Sequence, residues 1–266
     1  MRKVLLYRPF EADNLERELA AAETAGFTLV DDRDFLLPGD LVIPRFYPFW
    51  NYLEDELKVV GVKTIAPYSQ HDWLSDIRVW APVLGSLTPQ TWLTLTQVKD
   101  SGFSGPFFVK GIDKSLKQDF ERFCFAEDIQ DLPRVLGNLK GALFAEQELV
   151  IREFKELKNY GRSAVSGAPI AHEFRVFVYG SQIISSGFYW ESVKTRASIA
   201  GFAGEPPREL IEKVIELVGD NANFYSVDVA LTQDGEWLVV EVNDGFLSGL
   251  TAIDPLEHYS KLYSAI

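Results

Sequence analysis

Residues 224–243 contain two runs of alternating apolar and polar residues, separated by Asp234-Gly235. An Asp-Gly pair between such runs is a strong signal for a β-hairpin with a two-residue turn. A turn of this kind pairs Gln233 with Glu236 and thereby sets which residues face each other along both strands. The face that this register makes wholly apolar consists of Val227, Val229, Leu231, Leu238, Val240 and Val242.

The opposite face of the predicted hairpin carries polar side chains. Asp228 lies directly opposite Glu241 in this register, and Asn243 lies two residues further along the same face. Two opposed carboxylates repel each other and weaken a sheet unless a cation lies between them. Carboxylate and amide oxygens suit Mg²⁺ or Mn²⁺ better than Zn²⁺, and protein-bound Mg²⁺ commonly takes further ligands from water and nucleotide phosphates. A polar strand face exposed to solvent is the alternative interpretation.

The composition narrows the class of protein. The chain has 266 residues, 47% of them hydrophobic, which is enough for one large domain or two or three lobes. We expect a cytoplasmic protein with no membrane partner, because no apolar run is long enough to span a bilayer and the N-terminus does not resemble a signal peptide. Cys124 is the single cysteine, which excludes an intrachain disulfide and a cysteine-rich zinc site. The net charge of −13 argues against nucleic acid as a partner.

The order of predicted elements divides the chain into three units. Residues 1–85 alternate between strand and helix, which indicates a small α/β lobe with a largely parallel sheet. We expect a second unit over residues 86–150 and a third over 151–266, where helices are interleaved with antiparallel hairpins in an α+β pattern. The local predictions include one helix over Ser69–Leu84, a strand over Arg122–Glu127 and a charged loop over Lys155–Pro169.

Lys110 stands at the end of an apolar strand that begins at Phe107. A buried lysine there requires an anionic partner, because an unpaired charge is costly to bury. Lys114 and Lys117 follow in a polar loop that could offer ammonium groups and amides to phosphates. The alternative is a lysine whose head reaches solvent beside a hydrated loop. No phosphate-loop or Rossmann fingerprint is present.

Two further strands carry charged residues. Glu173 and Arg175 share one face of a strand, and Arg is suited to bidentate recognition of phosphate or carboxylate. A Glu–Arg pair on a hydrated sheet face is the alternative interpretation. His172 falls on the apolar side, which favours a structural role. A third apolar strand ends in Arg152-Glu153, where backbone groups could meet a flat ligand.

Taken in order, these segments resemble the ATP-grasp superfamily over roughly residues 85–250. The resemblance rests on Phe-Val-Lys110-Gly, on Val-Ile-Arg-Glu153-Phe, on Glu-Phe-Arg175-Val-Phe-Val, and on an acidic residue, Asp228, followed by Glu241-Val-Asn243. It implies an ATP-grasp fold with a reduced N-terminal α/β lobe. It also implies an ATP-dependent ligase that joins a carboxylate, of a small molecule or a peptide, to an amine through an acyl phosphate.

The resemblance implies a role for each matched residue. Lys110 would contact the α- and β-phosphates, with Lys114 or Lys117 supporting the phosphate loop. The backbone near Arg152, Glu153 and Phe154 would bind adenine, and Glu173 would bind the ribose. Arg175 would stabilise the transferred phosphoryl group. One or two Mg²⁺ ions (or Mn²⁺) would be held by Asp228, Glu241 and Asn243.

The chain departs from the family pattern at two points. The loop after Lys110 is rich in lysine and serine where many members have glycines, and a second nucleotide-binding lysine has no match, leaving Arg78 or Lys99 as candidates. Two other functions therefore stay open. One is an ATP-binding module without turnover. The other is a nucleotidyltransferase that uses Lys110 covalently, although the K-x-D-G spacing of such enzymes is not present.

Overall fold

The computed structural model describes residues 1–8, 15–47, 51–112, 116, 119–142, 148–162, 169–190 and 202–266. Lys114 and Lys117, which were predicted to support a phosphate loop, lie outside these ranges. The strands are β1 (Lys3–Tyr7), β2 (Thr28–Val30), β3 (Leu41–Arg45), β4 (Lys63–Thr64), β5 (Thr91–Trp92), β6 (Phe107–Gly111), β7 (Phe125–Ala126), β8 (Leu149–Glu153), β9 (Asn159–Arg162), β10 (Pro169–Ala171), β11 (Glu173–Tyr179), β12 (Gln182–Phe188), β13 (Phe224–Leu231) and β14 (Trp237–Asp244). The α-helices are α1 (Leu15–Thr24), α2 (Asn51–Val60), α3 (Tyr68–Ser75), α4 (Ile77–Leu84), α5 (Leu95–Ser101), α6 (Phe120–Phe123), α7 (Leu132–Ala142), α8 (Arg208–Val218) and α9 (Pro255–Ala265).

The first sheet has the order β2-β1-β3-β4, and all of its pairs are parallel. Val4, Leu5 and Leu6 in β1 are fully buried, as expected for a central strand covered on both faces. The parallel α/β arrangement of the N-terminal part is therefore confirmed.

The second sheet has the order β5-β8-β6-β7 and is antiparallel. Phe107 and Val109 on β6 face a core covered by α5 and α7, whereas Phe108 and Lys110 face the other way. The strand predicted over Arg122–Glu127 is wrong, because a helical turn, α6, occupies its first residues and only two residues of β7 remain extended.

The third sheet has the order β12-β11-β13-β14 and is antiparallel throughout. One face packs on α8 and α4 through a large apolar core that includes Phe174, Val176 and Val227. His172 is completely buried and is hydrogen-bonded to Tyr160 at 2.9 Å, which agrees with the predicted structural role.

The β13–β14 hairpin differs from the prediction at its turn. Thr232 lies opposite Glu236, with the Thr232 amide donating to the Glu236 carbonyl at 2.8 Å, so the turn has three residues rather than two. Val229 then pairs with Val239, whereas Asp228 pairs with Glu241, which leaves Val240 as an extra residue in a β-bulge. Val239 consequently joins the apolar face, where Val240 was predicted.

Two local predictions between the sheets are also wrong. The helix predicted over Ser69–Leu84 is broken at Asp76, whose carboxylate accepts a hydrogen bond from the amide of Arg78 at 2.9 Å and so begins α4. The segment predicted as a loop over Lys155–Pro169 contains the strand β9, which pairs with β10 where the segment ends. Within the described ranges, none of the helices has the length and apolar character needed to cross a bilayer.

Candidate active site

A cavity of about 260 Å³ opens between α3, α4, the end of β6 and the end of β14. Its lining residues are His71, Leu74, Ser75, Trp80, Ile112, Arg175, Glu241, Val242, Asn243, Asp244, Leu247, Ser248 and Gly249. Three residues predicted from the sequence, Arg175, Glu241 and Asn243, are therefore brought together at one concave surface. Arg175 comes from β11 and the other two from β14, with β13 between these strands in the third sheet.

Lys110, on the second sheet, contacts Glu241 at the edge of this cavity. Its ammonium Nζ lies 2.6 Å from Oε1 of Glu241, and its side chain is 7% exposed against 33% for Glu241. The pair bridges β6 and β14, so the two sheets meet through opposite charges. Lys110 accordingly has the anionic partner that the sequence required of it.

Arg175 and Asp228 form a second, more deeply buried pair on β11 and β13. The guanidinium donates to both carboxylate oxygens, at 2.8 Å and 2.7 Å, and donates a third bond to the carbonyl of Gly249 at 3.1 Å. Burial lowers the pKa of Arg175, but the charge and hydrogen bonds of Asp228 outweigh it and raise the pKa above its usual value. The guanidinium also lies 4.9 Å from the ring centroid of Tyr189, and burial raises the pKa of that phenol to about 12.

The predicted metal ligands lie on one side of β13 and β14. Asp228 is directly opposite Glu241, and Asn243 lies two residues beyond Glu241 along β14. Two carboxylates and one amide oxygen fit Mg²⁺ by ligand chemistry. Among the described residues, His, Cys, Asp and Glu form no group of three that could hold a metal ion. A site here therefore depends on the amide of Asn243 and on ligands from outside the chain.

Arg152 is tied into the scaffold. Its guanidinium donates to the hydroxyls of Thr88 at 2.7 Å and Thr91 at 3.3 Å, and to the carbonyl of Val240 at 2.9 Å. Burial lowers the pKa of Arg152 to about 10, against the nearby charge of Glu241, which raises it. The side chain thus docks β8 of the second sheet onto the bulge of β14.

The predicted adenine region lies at the C-terminal end of β8. The amides of Glu153 and Phe154 donate to the carbonyls of Gln90 and Pro106 at 2.8 Å and 3.0 Å, so neither amide is available to a ligand. The ring of Phe154 instead joins a group of half-buried aromatic rings that was not predicted from the sequence. The other members of this aromatic group are Phe108, Phe120 and Phe125, with ring centroids 5.0 to 6.1 Å apart.

Glu173 and the two candidates for a second nucleotide-binding cation lie outside the cavity lining. Glu173 is buried on the same face of β11 as Arg175 and helps to raise the pKa of Arg175. Arg78 pairs with Asp76 and Glu148 beside the strand end that leads into the polar loop. Lys99 is exposed on α5, away from the cavity.

His71 and Asp244 line the cavity and were not anticipated. Nδ1 of His71 is hydrogen-bonded to Oδ2 of Asp244, which follows Asn243 at the end of β14. The two residues are separated by 173 positions along the chain. No local pattern links them, because only the packing of α3 against β14 brings them together.

A comparison with protein-family models matches residues 98–262 to the ATP-grasp domain, R2K clade family 3. This match covers more than half of the chain. The chain belongs to this ATP-grasp family. ATP-grasp enzymes bind ATP and family members are ligases, so the resemblance recognised in the sequence is confirmed. A comparison with curated protein sequences finds no match.

Solved structures of ATP-grasp proteins share the fold over nearly the whole chain. D-cycloserine synthetase DcsG is 16% identical, with 99% of each chain covered and a TM-score of 0.60. The RimK-domain ATP-grasp protein of Sphaerobacter thermophilus DSM 20745 is 14% identical, with 99% of each chain covered and a TM-score of 0.58. The macrocyclase MdnC of Microcystis aeruginosa MRC, bound with its precursor peptide MdnA, is 15% identical, with 98% of each chain covered and a TM-score of 0.58. The predicted ATP-grasp fold class is therefore confirmed.

Proposed function

We propose that this protein is an ATP-dependent carboxylate–amine ligase that acts through an acyl phosphate. The observation that carries the proposal is the placement of Arg175, Glu241 and Asn243 around one cavity, with Lys110 bonded to Glu241 at its edge. Similar structures include a D-alanyl-alanine synthetase and a macrocyclase bound with its precursor peptide. These names favour an amino acid or a peptide as the substrate class.

In the first step, a substrate carboxylate oxygen attacks the γ-phosphorus of ATP, and the bond to ADP breaks. Lys110 would place its positive charge beside the phosphates, and Arg175 would stabilise negative charge on the transferred phosphoryl oxygens. No side chain needs to act as a nucleophile in this reaction. The contribution of the chain is the positioning of the reactants and the stabilisation of charge.

Asp228, Glu241 and Asn243 would hold Mg²⁺, or Mn²⁺ in its place, beside the phosphates. Bound there, the metal would neutralise phosphate charge and polarise the phosphorus–oxygen bonds. Glu241 has a second function, because it also holds the ammonium of Lys110 at 2.6 Å. Loss of its charge would therefore affect both the metal and the lysine.

Adenine would lie against the aromatic group of Phe108, Phe120, Phe125 and Phe154. Phe108 and Lys110 are two residues apart on β6 and so share a face, which would place the base and the phosphates along one strand. Glu173 would be close enough along β11 to serve the ribose. Lys114 and Lys117 remain proposed phosphate contacts.

Glu241→Gln tests this function. The purified protein is incubated with MgATP and a pool of the standard amino acids and their dipeptides, and ADP release is measured. We expect carboxylate-dependent ADP release by the wild type and a fall of about 100-fold or more in the variant, as for the loss of a preorganised charge at a transition state. Glu236→Gln, at the exposed turn of the same hairpin, is the matched control and should keep wild-type activity.

Other results would support a different function. ATP binding without ADP release from any pool would favour a nucleotide-sensing module. A nucleotidyl adduct on Lys110, detected by mass spectrometry, would favour a nucleotidyltransferase. Undiminished Mg²⁺-dependent turnover by Glu241→Gln would contradict the assignment of the metal ligands.

A further inference from the structure

His71 and Asp244 form a polar pair within the cavity that the phosphoryl chemistry does not use. Asp244 is 7% exposed, and its two oxygens have different partners. Oδ1 accepts a hydrogen bond from the amide of Phe246 at 2.5 Å, and Oδ2 is bonded to Nδ1 of His71. A carboxylate held on both sides cannot rotate freely, so it fixes the orientation of the imidazole.

The bond to Asp244 also determines which nitrogen of His71 carries the hydrogen. Because the carboxylate accepts, Nδ1 is the donor and Nε2 of the neutral ring carries a lone pair. Nε2 has no hydrogen-bond partner among the residues that the structure describes. The His71 side chain is 19% exposed and lines the cavity, with the ring of Tyr68 packed at a centroid distance of 5.5 Å.

The pair lies beyond the proposed metal ligands along β14. Glu241 comes first, Asn243 follows, and Asp244 ends the strand, while the guanidinium of Arg175 borders the same cavity from β11. A substrate in the cavity would thus have the guanidinium of Arg175 beside its phosphoryl group. On another side it would meet Nε2 of His71, an oriented hydrogen-bond acceptor. An acceptor nitrogen suits a group that donates N–H, such as a primary amine or its ammonium form.

We propose that His71, oriented by Asp244, receives the amine substrate and accepts its proton during transfer, an inference that rests on the proposed ligase function. The ammonium group gives one proton to Nε2, and the freed nitrogen lone pair attacks the carbonyl carbon of the acyl phosphate. The C–N bond forms, and the C–O bond to phosphate breaks with its electron pair leaving on the phosphate. The second proton leaves the nitrogen for the departing phosphate, and His71 returns its proton to solvent.

The test separates the two half-reactions with hydroxylamine. Hydroxylamine is largely unprotonated at neutral pH and captures an acyl phosphate as a hydroxamate without needing a base. His71→Gln and Asp244→Asn are compared with the wild type in MgATP and the amino-acid and dipeptide pool, with and without hydroxylamine. In Asp244→Asn the new amide donates to Nδ1, which moves the hydrogen to Nε2 and removes the acceptor while keeping the side-chain shape.

In the assay without hydroxylamine, ADP release depends on transfer to an amine of the pool. We expect both variants to lose about 100-fold or more of this release, the usual scale for general-base catalysis. Their hydroxamate formation should stay within about threefold of wild type, since phosphoryl transfer does not use the pair. Asp72→Asn, which removes an exposed carboxylate one residue from His71, is the matched control and should behave as wild type in both assays.

Three outcomes would overturn the inference. Unchanged amine transfer in the variants would show that the pair is not used. An equal loss of hydroxamate and amine transfer would show that the pair only supports the fold of the cavity. If the wild type releases ADP in neither assay, the ligase function itself is refuted, and the inference fails with it.

Discussion

Three cationic residues near the cavity, Lys110, Arg152 and Arg175, are each buried. An unpaired charge at such depth is costly, so each cation has a specific anionic or dipolar partner. Lys110 has Glu241, Arg175 has Asp228, and Arg152 has two hydroxyls and a carbonyl. These pairs make it necessary to separate effects on folding from effects on catalysis when single residues are changed.

Substitutions of Arg175 separate the effect on folding from the effect on catalysis most clearly. Arg175→Ala leaves Asp228 buried at 2% exposure without its guanidinium, and we expect unfolding in urea to show a loss of about 3–5 kcal/mol. The double variant Arg175→Met with Asp228→Leu replaces both charges with apolar groups and should recover most of that free energy while remaining inactive. A single variant that is as stable as wild type would show that the pair adds little to the fold.

At the scale of the element, the β13–β14 hairpin shows what could be predicted and what could not. The alternating runs and Asp234-Gly235 predicted the hairpin and the opposition of Asp228 and Glu241, which the structure contains. The predicted turn was one residue too short, and the bulge at Val240 offsets that error. A bulge is not visible in the alternation, because Val239 and Val240 are both apolar and either could face the core.

The bulge has an energetic role that only the packing reveals. It presents the carbonyls of Val239 and Val240 to the hydroxyl of Thr88 and the guanidinium of Arg152. Residues that alternate along one strand leave a periodic signal, but hydrogen-bond partners separated by 88 to 151 positions do not. For the same reason the sequence predicted Lys110 and Glu241 individually but not their contact. It missed the pair of His71 with Asp244 entirely.

Thr88→Val tests the connection between the second sheet and β14. The change keeps the branched shape but removes the hydroxyl that accepts from Arg152 and donates to Val239, both within 2.8 Å. We expect a loss of about 1–3 kcal/mol in urea unfolding, the cost of unsatisfied buried polar groups. Thr91→Val is the matched control, since its bond to Arg152 is 3.3 Å long and the residue is half-buried. Equal losses in both variants would argue against a specific role for Thr88.

At the scale of the whole molecule, the N-terminal sheet is joined to the third sheet through a buried polar junction. Arg45, at the end of β3, donates to Glu18 at 2.5 Å and to three carbonyls of the loop after β14, at Gly245, Phe246 and Ser248. This loop continues to Leu247 and Gly249, which line the cavity. The N-terminal lobe thereby supports one wall of the proposed site, which is a reason to treat residues 1–85 as part of the functional unit.

The terminal helix α9 closes the same junction. Asp254 caps it by accepting from the amide of Glu257 at 2.9 Å. Tyr259 donates to Glu18 at 2.6 Å, and His258 is bonded to the hydroxyl of Ser185 at 2.7 Å. The helix therefore brings a fully buried imidazole close to the charge of Arg45.

His258 should make the stability of this junction depend on pH. Burial, with a further contribution from the charge of Arg45, lowers the pKa of His258 to about 3, whereas an unfolded histidine titrates near about 6.5. Between these two values the unfolded state binds more protons, so the free energy of unfolding falls as the pH falls, by about 1.4 kcal/mol per unit. The contribution is fully present above about pH 6.5, and about 2 kcal/mol of it is lost at about pH 5.

His258→Asn removes this titration while keeping a polar partner for Ser185. We expect the stability difference between wild type and variant to shrink by about 2 kcal/mol between about pH 7.5 and about pH 5 in urea unfolding. Ser260→Ala, at an exposed position of the same helix, should keep the wild-type pH dependence and serves as the control. A difference that stays constant over this range would mean that the imidazole is protonated in the folded protein as readily as in the unfolded chain. The junction would then have to admit water or an anion beside His258, and its role as a rigid connection between the N-terminal lobe and the cavity wall would need to be reconsidered.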